Sequence, residues 1–555
     1  MIHALRRRPG GGRHLGAAVR SCILGLSLCL GAGVAWAQVD APPPEPAASA
    51  APSPEPAASQ PVNPPPRLSL EARVAATNNG GVDDNGMRRG DFITSLRPVL
   101  DITHKGAGFN ADMHAAATLI DYAKNTQPDG VLPDLRGQFD ANFLDRWLRL
   151  DGAAYLRAAE SDPFGVRTDD LTAANRHNDW GAVAGTSLQH DLGREVSFLA
   201  RESFGVTRSS GVTGGVAGAG ADAVTETRLN TNTTVVRVER KPTPLGASVE
   251  VNRLDNRVSS DLGDSRYTLT TGRLKGTMRV GGGTNVSVLV GQDRSDYLLA
   301  SHVDPLYGAA LDWTPGPRTH VQLDIEHRYF GESGLFRLEH RTPFLVVSID
   351  VRREPVDATS SLGSIGQGSD VRSALDAILT TRYPDPATRL GVVDSIVSSR
   401  GLDTAASNGA INLLGDYPQL QTAAEGAITL LGVRDTLSLS AYALTTRVLT
   451  RDGDPLAGLA TATADSRQRG AALQLEHRLG AQLSAMLSGN WSRIEALGGS
   501  GERSDEQTWR LTLLDHLSRR SDLTVGVQWN RFETTAVGQR SFDATLGLVG
   551  LIHRF

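Results

Sequence analysis

Five polar side chains alternate along one short stretch of the chain. His320, Gln322, Asp324, Glu326 and Arg328 occupy every second position, and three of the four positions between them are apolar. Side chains of an extended strand point alternately to its two faces, so all five share one face. Their imidazole, amide, carboxylate and guanidinium groups can hydrogen-bond sugar hydroxyls or screen ions. We therefore predict that these five residues line a pore.

The same stretch also contains groups that could catalyse hydrolysis, because His320, Asp324 and a neighbouring serine are the residue types of a hydrolase. No G-x-S-x-G, H-E-x-x-H, Walker or Rossmann motif occurs anywhere in the chain. Charged residues inside a barrel line pores more often than they catalyse. We therefore expect no enzyme, no cofactor and no metal site, and we keep a barrel hydrolase as a lesser alternative.

Cysteine usage and charge exclude several classes of protein. Both cysteines, Cys22 and Cys29, lie within residues 1–37, and their absence from the rest excludes a disulfide scaffold, a cysteine zinc site and a thiol nucleophile. Residues 38–555 carry 51 basic and 61 acidic side chains, a poor composition for binding nucleic acid. No apolar run of about 18 residues follows residue 37, so no transmembrane helix is expected.

The first 66 residues read as an export signal and a tether. Residues 1–37 contain five arginines and no acid, then an apolar core, and end in Ala35-Trp36-Ala37, a signal-peptidase site. Residues 41–66 hold 11 of the 27 prolines, which favours an extended, semi-rigid segment without a core. We predict a signal peptide over 1–37 and a periplasmic linker over 38–66.

The remaining chain, 67–555, reads as a series of β-hairpins. Period-2 alternation recurs in 22 segments, of which Thr319–Tyr329 and Gln482–Ser492 are clear examples. Short connections alternate with long ones at 160–178, 209–224 and 354–418, as in outer-membrane barrels. In lipid every backbone amide must be paired, so such a sheet must close. The prediction is an all-β fold: a closed antiparallel up-and-down transmembrane β-barrel of about 22 strands, within a range of 18–22.

The longest break in the strand pattern, 354–418, contains two helical signals. Residues 370–380 have apolar side chains at helical spacing, and Asp385-Pro386 supplies an N-cap followed by proline at the first helical position. We predict two short helices, which strand parity places on the extracellular side unless they fold back into the lumen. A pore constriction or lid and an inert surface loop both remain open.

Six of the 13 histidines follow one pattern, an apolar residue, any residue, then His, at the end of an even-numbered strand. They precede a short turn or the chain end, which predicts one level, a girdle at the periplasmic interface. Metal binding is disfavoured because they belong to different hairpins. The girdle residues are His104, His190, His340, His477, His516 and His553.

The chain ends in Phe555, and a terminal aromatic residue on an amphipathic strand resembles the signal that the barrel-assembly machinery reads. The last strand departs from a strict pattern. Phe542, Leu546 and Leu548 occupy one phase, while Leu551 and Phe555 occupy the other. We predict that Phe555 is an assembly signal.

Residues 68–125 carry a family resemblance. They contain an Asp84-Asn85 turn after the first strand, an Asp-Phe-x-Thr-x-x-x-Pro strand from Asp91 to Pro98, and a third strand bearing Tyr122. This resembles an outer-membrane β-barrel family associated with PEP-CTERM exosortase systems and exopolysaccharide clusters, similar to the β-barrel porin 2 group. The resemblance continues to the C-terminus. Residues 78–81, before the Asp-Asn pair, depart from the pattern and indicate a lengthened loop.

That family has no assigned activity, so the resemblance implies location and gene-cluster association. We expect the outer membrane of a Gram-negative bacterium and a porin-like channel associated with exopolysaccharide export or the PEP-CTERM system. The alternative is a non-conducting barrel that anchors exopolysaccharide assembly. Expected partners are outer-membrane lipid and lipopolysaccharide, the barrel-assembly machinery, and polysaccharide or periplasmic export proteins, with no nucleic acid.

Overall fold

The computed structural model describes residues 65–555 with internal gaps. The predicted signal peptide, 1–37, and all of the predicted linker except its last two residues lie outside the described part. The internal gaps are residues 85, 107, 145–146, 161–163, 167–175, 213–223, 261–262, 298–299, 356–370, 381, 384–388, 390–391, 394–395, 397–418, 450–464 and 498–500.

Nearly every element is a β-strand, because the alternating pattern of the sequence suits a sheet with two different faces. The elements in chain order are β1 (Arg67–Thr77), β2 (Asp91–Lys105), β3 (Phe109–Tyr122), β4 (Gly130–Phe143), β5 (Leu148–Glu160), β6 (Arg176–Leu192), β7 (Val196–Val212), β8 (Val224–Arg240), β9 (Leu245–Ser260), β10 (Gly263–Arg279), β11 (Thr284–Tyr297), β12 (Ala300–Gly316), β13 (Thr319–Arg328), β14 (Gly331–Arg341), β15 (Leu345–Pro355), α1 (Val371–Leu379), β16 (Gln419–Leu431), β17 (Asp435–Val448), β18 (Ser466–Arg478), β19 (Leu483–Ala496), β20 (Arg503–His516), β21 (Ser521–Thr534) and β22 (Phe542–Arg554).

The strands form one closed antiparallel sheet. Each strand pairs with its neighbours in sequence, and the first strand pairs with the last, from Ser69 opposite Arg554 to Thr77 opposite Leu546. Closure leaves no strand edge without a hydrogen-bonding partner. The predicted fold class, an up-and-down barrel of 22 strands, is confirmed.

The two ends of the barrel differ in the length of their connections. At one end, here called the short-turn end, every connection has two to four residues. At the other, the long-loop end, connections reach from 356 to 418 and from 449 to 465, although three of them have only two residues. The alternation predicted from the sequence is therefore present.

The two faces of the wall differ in chemistry. Here the outward face carries large exposed apolar side chains, such as Val288 at 66% and Val290 at 56% relative exposure. The opposite, inward face is rich in serine, threonine, asparagine, glutamine and charged residues, many of them buried, such as Thr231 and Gln528 at 0%. The strict alternation of the two sets follows from the two-residue period of a strand.

Among the described residues, helical structure occurs only in the connection between β15 and β16. One helix is α1, and the described positions Arg389, Val392, Val393 and Ile396 farther along are also helical, where the sequence predicts the second helix. Within the described ranges no helix is long and apolar enough to cross a membrane.

The connection between β1 and β2, residues 78–90, is a long and ordered loop at the long-loop end. Asn79 is fully buried, where its side chain donates to the Asp83 carbonyl at 2.8 Å and accepts from the Asp83 amide at 3.0 Å. The Asp83 carboxylate accepts a hydrogen bond from Arg89 at 2.8 Å and raises the pKa of that guanidinium. The lengthened loop indicated by residues 78–81 is thus present.

Candidate functional site: the barrel lumen

The five polar residues predicted to line a pore all lie on the inward face of β13. Ile325, between two of them, points outward with 43% exposure, whereas Glu326 and Arg328 are 8% exposed. His320 lies near the short-turn end, where its Nε2 is 3.5 Å from the Asp312 carboxylate. The structure therefore brings the five to the lumen wall, and pore lining itself stays a prediction.

Arg328 is held by a buried carboxylate on another strand. Its Nε and Nη2 donate to the two oxygens of Asp293 on β11, both at 2.9 Å, across the intervening strand β12. Thr271 on β10 donates to Asp293 at 2.7 Å and accepts from Arg328 at 3.0 Å. A bidentate pair of this kind is strong and directional, which fixes both side chains against the wall.

A second ion pair crosses the same wall. Arg273 on β10 donates to Glu326 on β13 at 2.9 Å and to Glu250 on β9 at 3.2 Å. Strands β11 and β12 lie between Arg273 and Glu326, and the residues they place beside this pair are Gly291, opposite Arg273, and Gly308, opposite Glu326. Since glycine has no side chain, the long side chains from β10 and β13 can extend over bare backbone and meet.

Both glycines are tightly packed against the neighbouring strand. A Cβ at Gly291 would lie 2.1 Å from the Gly272 carbonyl oxygen, and one at Gly308 would lie 2.2 Å from the Ile325 carbonyl oxygen. Strand glycines commonly mark a close approach of backbones. Here they bring four strands into one network of charged side chains on the lumen wall.

Helix α1 and the helical position Val393 lie inside the barrel. The chain leaves β15 at the long-loop end, yet Leu375 and Leu379 of α1 and Val393 form an apolar cluster against Leu431, the last residue of β16, at the short-turn end. At roughly 3.3 Å per residue, β16 spans about 40 Å between these ends. Helix α1 therefore lies about one strand length away from the end of the barrel at which β15 finishes.

The face of β16 that α1 contacts shows on which side of the barrel wall α1 lies. Leu431 is on the inward face, while the outward residues beside it, Ile428 and Leu430, remain 42% and 41% exposed. Arg389 links the second helical stretch to α1 by donating to Asp376 at 2.7 Å, and it also donates to the Tyr383 carbonyl at 3.0 Å. Of the two placements left open by the sequence, the extracellular one is wrong for α1 and the lumenal one is correct. The apolar surface of α1 needs a dry partner, which the inward Leu431 provides.

A second segment enters the lumen from the long-loop end. Phe164 and Val166, in the connection between β5 and β6, are 3% and 6% exposed. Phe164 packs with Ile494 of β19, and its carbonyl accepts a 2.6 Å hydrogen bond from Ser504 of β20. The loop thus reaches across the mouth to strands on another part of the wall.

The seam between β22 and β1 explains the two apolar phases of the last strand. Phe542, Leu546 and Leu548 face inward in an apolar cluster with Val166 and with residues from β1, β2, β3 and β21. Leu551 and Phe555 face outward with 45% and 66% exposure. One phase therefore packs the lumenal cluster and the other belongs to the outer surface.

All six predicted girdle histidines lie at the short-turn end, but they do not share one face. Five of them point outward, where His190 stacks on Trp147 at 3.5 Å between ring centres and His553 lies 4.9 Å from Phe555. His516 is the exception, because it points inward and its Nδ1 is 2.6 Å from buried Asp522. The girdle prediction stays open for His104, His190, His340, His477 and His553, and the placement of His516 in it is wrong.

Several lumen residues could not be identified as functional candidates from the sequence alone. Arg273 and Asp293 are ordinary members of alternating strands, and only the pairing of β10 to β13 reveals their partners. Gly291 and Gly308 are two inward glycines on adjacent strands, a signal visible only once the strands are aligned. Among the described residues, no group of three or more His, Cys, Asp or Glu could hold a metal ion.

No protein-family model matches this sequence, and comparison with curated proteins gives no match. Among solved structures, the chain is similar to the siderophore receptor PiuA from Acinetobacter baumannii, with 9% identity, a TM-score of 0.44, and coverage of 88% of this chain and 82% of that one. It is also similar to the ferric enterobactin receptor PfeA from Pseudomonas aeruginosa, with 11% identity, a TM-score of 0.44, and coverage of 88% and 81%. Such low identities and TM-scores say nothing about what this chain binds.

Proposed function

We propose that this protein is a β-barrel of the Gram-negative outer membrane that passes a polar solute through its lumen. The observation that carries the proposal is the closed sheet with an apolar outward face and a polar inward face. Lipid requires that every backbone amide be paired, and only a closed barrel or a helix meets that requirement. The apolar outward face fits hydrocarbon, and the polar inward face fits hydrated solute.

The orientation follows from the connections. Outer-membrane barrels have short periplasmic turns and longer extracellular loops, so the short-turn end belongs in the periplasm. The N-terminal end of β1 lies at that end, where the predicted linker 38–66 would reach it from the periplasm. The outward Phe555, 66% exposed at the same end, is accessible to the barrel-assembly machinery.

The class of solute that we propose is based on the chemical groups of the lumen wall. The lumen wall presents carboxylate, guanidinium, amide and hydroxyl groups, which suit a hydroxyl-rich chain such as a polysaccharide. The resemblance of residues 68–125 to barrels of exopolysaccharide clusters favours export of such a polymer. A porin-like channel associated with exopolysaccharide export or the PEP-CTERM system is therefore the form that we propose.

The position of α1 favours the alternative of a non-conducting barrel that anchors exopolysaccharide assembly. Because α1 packs on the lumen wall at the short-turn end, it narrows the passage there, and a barrel that never conducts could serve as an anchor for exopolysaccharide assembly.

The hydrolase alternative gains no support from the geometry. His320 and Asp324 are four residues apart on β13, about 13 Å at roughly 3.3 Å per residue, and His320 faces Asp312 instead.

Reconstitution tests the proposal. The full chain, purified from outer-membrane fractions, would be inserted into a planar bilayer and its conductance recorded. We expect insertion with stepwise conductance. A tight bilayer despite verified insertion would overturn the channel and leave the anchoring barrel, and recovery of the protein outside the outer membrane would overturn both.

A further inference from the structure

Four arginines cap the apolar outer surface of β15–β18 at the long-loop end. Along these strands the outward residues are aliphatic or small for most of the length, with Ile428, Leu430 and Leu439 each more than 40% exposed. Toward the long-loop end they change to threonine and arginine. The arginine patch consists of Arg353 on β15, Arg447 on β17, and Arg467 and Arg469 on β18.

Strand register aligns these side chains. Arg353 is opposite Thr422, Thr422 is opposite Thr445, and Thr445 is opposite Arg467, which makes one continuous row over four strands. At strand spacings of roughly 4.8 Å the row is about 14 Å wide. Arg447 lies two residues beyond Thr445 toward the loops, and Arg469 lies two residues from Arg467 toward the apolar surface.

Among the described residues, no carboxylate lies within the patch itself. Within the described part of the chain, none of its four guanidinium groups forms an ion pair or a side-chain hydrogen bond, and the Nε of Arg353 is buried without a partner. At this end, the outward faces of β15–β18 carry no carboxylate among the described residues. Two carboxylates border the patch: Glu332 on β14 is 3.1 Å from His327, and Glu495 on β19 is opposite Arg467 in the strand register but lies 3.9 Å from Arg493.

On the neighbouring strands β19 and β20, outward-facing arginines are paired with a carboxylate. At the same end of β19 and β20, Arg493 and Arg503 both contact Asp505, at 2.5 and 2.6 Å. Like charges on adjacent strands repel, and charged groups at a lipid surface cost free energy unless they are neutralised. The four arginines of the patch outnumber the two bordering carboxylates, so the patch keeps a net positive charge that an external anion can neutralise.

We propose that the arginine patch binds the phosphate groups of an outer-leaflet phosphorylated glycolipid, with the acyl chains lying along the apolar surface of β15–β18. Guanidinium groups match phosphate oxygens with paired hydrogen bonds, and the row offers several such groups at one level. The apolar surface directly below the patch is continuous with it, so one amphiphile can occupy both. This inference rests on the proposed outer-membrane location.

The test compares lipids with and without phosphate. Full-length protein in a non-ionic detergent would be mixed with bisphosphorylated lipid A, or with the same lipid after removal of its phosphates, and bound lipid would be counted by native mass spectrometry. The variant is R447Q/R467Q/R469Q. Its control, R318Q/R434Q/R520Q, removes the same charge from three exposed arginines at the short-turn end.

We expect lipid A to bind the wild type and the control alike, with affinity for the patch variant lower by roughly tenfold or more. Dephosphorylated lipid should bind weakly to all three proteins. Equal binding by the patch variant, equal binding of the dephosphorylated lipid, or full competition by millimolar inorganic phosphate would overturn the lipid site. A heat-modifiable band on gels confirms that each variant folds. Outer-membrane fractionation of the wild type separates failure of this site from failure of the proposed location.

Discussion

The guanidinium of Arg328 and the carboxylate of Asp293 form two 2.9 Å hydrogen bonds on the lumen wall, although the strands β13 and β11 that carry them are not adjacent. Arg328 is 8% exposed and Asp293 is 0% exposed. A buried ion pair adds little stability compared with apolar residues, but removal of one partner leaves an unpaired charge. The pair therefore makes the wall between β10 and β13 sensitive to single substitutions.

We expect Asp293→Ala to lower the free energy of unfolding by about 3 kcal/mol, because it leaves the Arg328 guanidinium buried without an anion. The measurement is urea unfolding of the barrel in lipid vesicles, followed by tryptophan fluorescence. Asp350→Ala is the control, since Asp350 pairs with Arg337, which is 51% exposed, and its loss should cost at most about 1 kcal/mol. Equal losses of unfolding free energy for the two substitutions would contradict a larger effect at the buried pair.

Gly291→Val should break the contact between Arg273 and Glu326. Its Cβ would overlap the Gly272 carbonyl, and its methyl groups would occupy the path between the two charged side chains. We expect a loss of about 1–3 kcal/mol, as for other overpacked sites.

Gly276→Val is the matched control for Gly291→Val. Gly276 lies on β10, and a Cβ there would meet no atom within 4 Å. It points outward, where valine suits both a strand and lipid. We expect this control to be neutral or stabilising in the same unfolding assay. A comparable loss at both glycines would contradict the role of Gly291 in leaving the path between Arg273 and Glu326 open.

Much of the barrel is predictable from the sequence because alternation is a local signal. Strand count, strand positions and the two unequal ends follow from the two-residue period and from connection lengths, as in β13 and its turn to β14. The inward position of His320–Arg328 follows from the same alternation once the sheet closes. No long-range contact is needed for any of these predictions.

The contents of the lumen are not predictable in this way, because they depend on contacts between distant residues. The apolar spacing of Leu375 and Leu379 indicates a helix but not its partner, Leu431, which is more than 50 residues away. The grouping of His516 with the girdle histidines rests on their shared apolar-x-His pattern, which does not fix the face of the strand. The five other histidines follow the outward phase, whereas His516 follows the inward phase and is held by Asp522.

Loosening α1 should open the short-turn end of the lumen. Leu375 is fully buried against the wall, so Leu375→Asn would weaken the cluster that holds α1, and we expect larger or more frequent conductance steps in planar bilayers. The control is Ala377→Asn, on a partly exposed position of the same helix. Unchanged conductance with Leu375→Asn would argue that α1 does not limit passage.

The position of α1 can be tested by thiol labelling, since the predicted mature chain has no cysteine. In Leu431→Cys the new thiol lies under α1, so a membrane-impermeant maleimide should label it slowly in protein reconstituted in nanodiscs. Adding Leu375→Asn should raise the labelling rate several-fold. Rapid labelling of Leu431→Cys alone would contradict the lumenal position of the helix.

Removal of the terminal aromatic ring should reduce assembly more than stability. Phe555 is 66% exposed on the outer surface and contacts the His553 ring, so it contributes little packing to the lumenal cluster. If assembly factors read it, Phe555→Ala should lower the amount of folded barrel in outer-membrane fractions several-fold, while the unfolding free energy of the recovered protein changes by less than about 1 kcal/mol. Val537→Ala, at a 91% exposed loop position, is the control and should assemble normally. Normal assembly of Phe555→Ala would contradict a role for Phe555 as an assembly signal, and a large loss of unfolding free energy would assign the residue to packing instead.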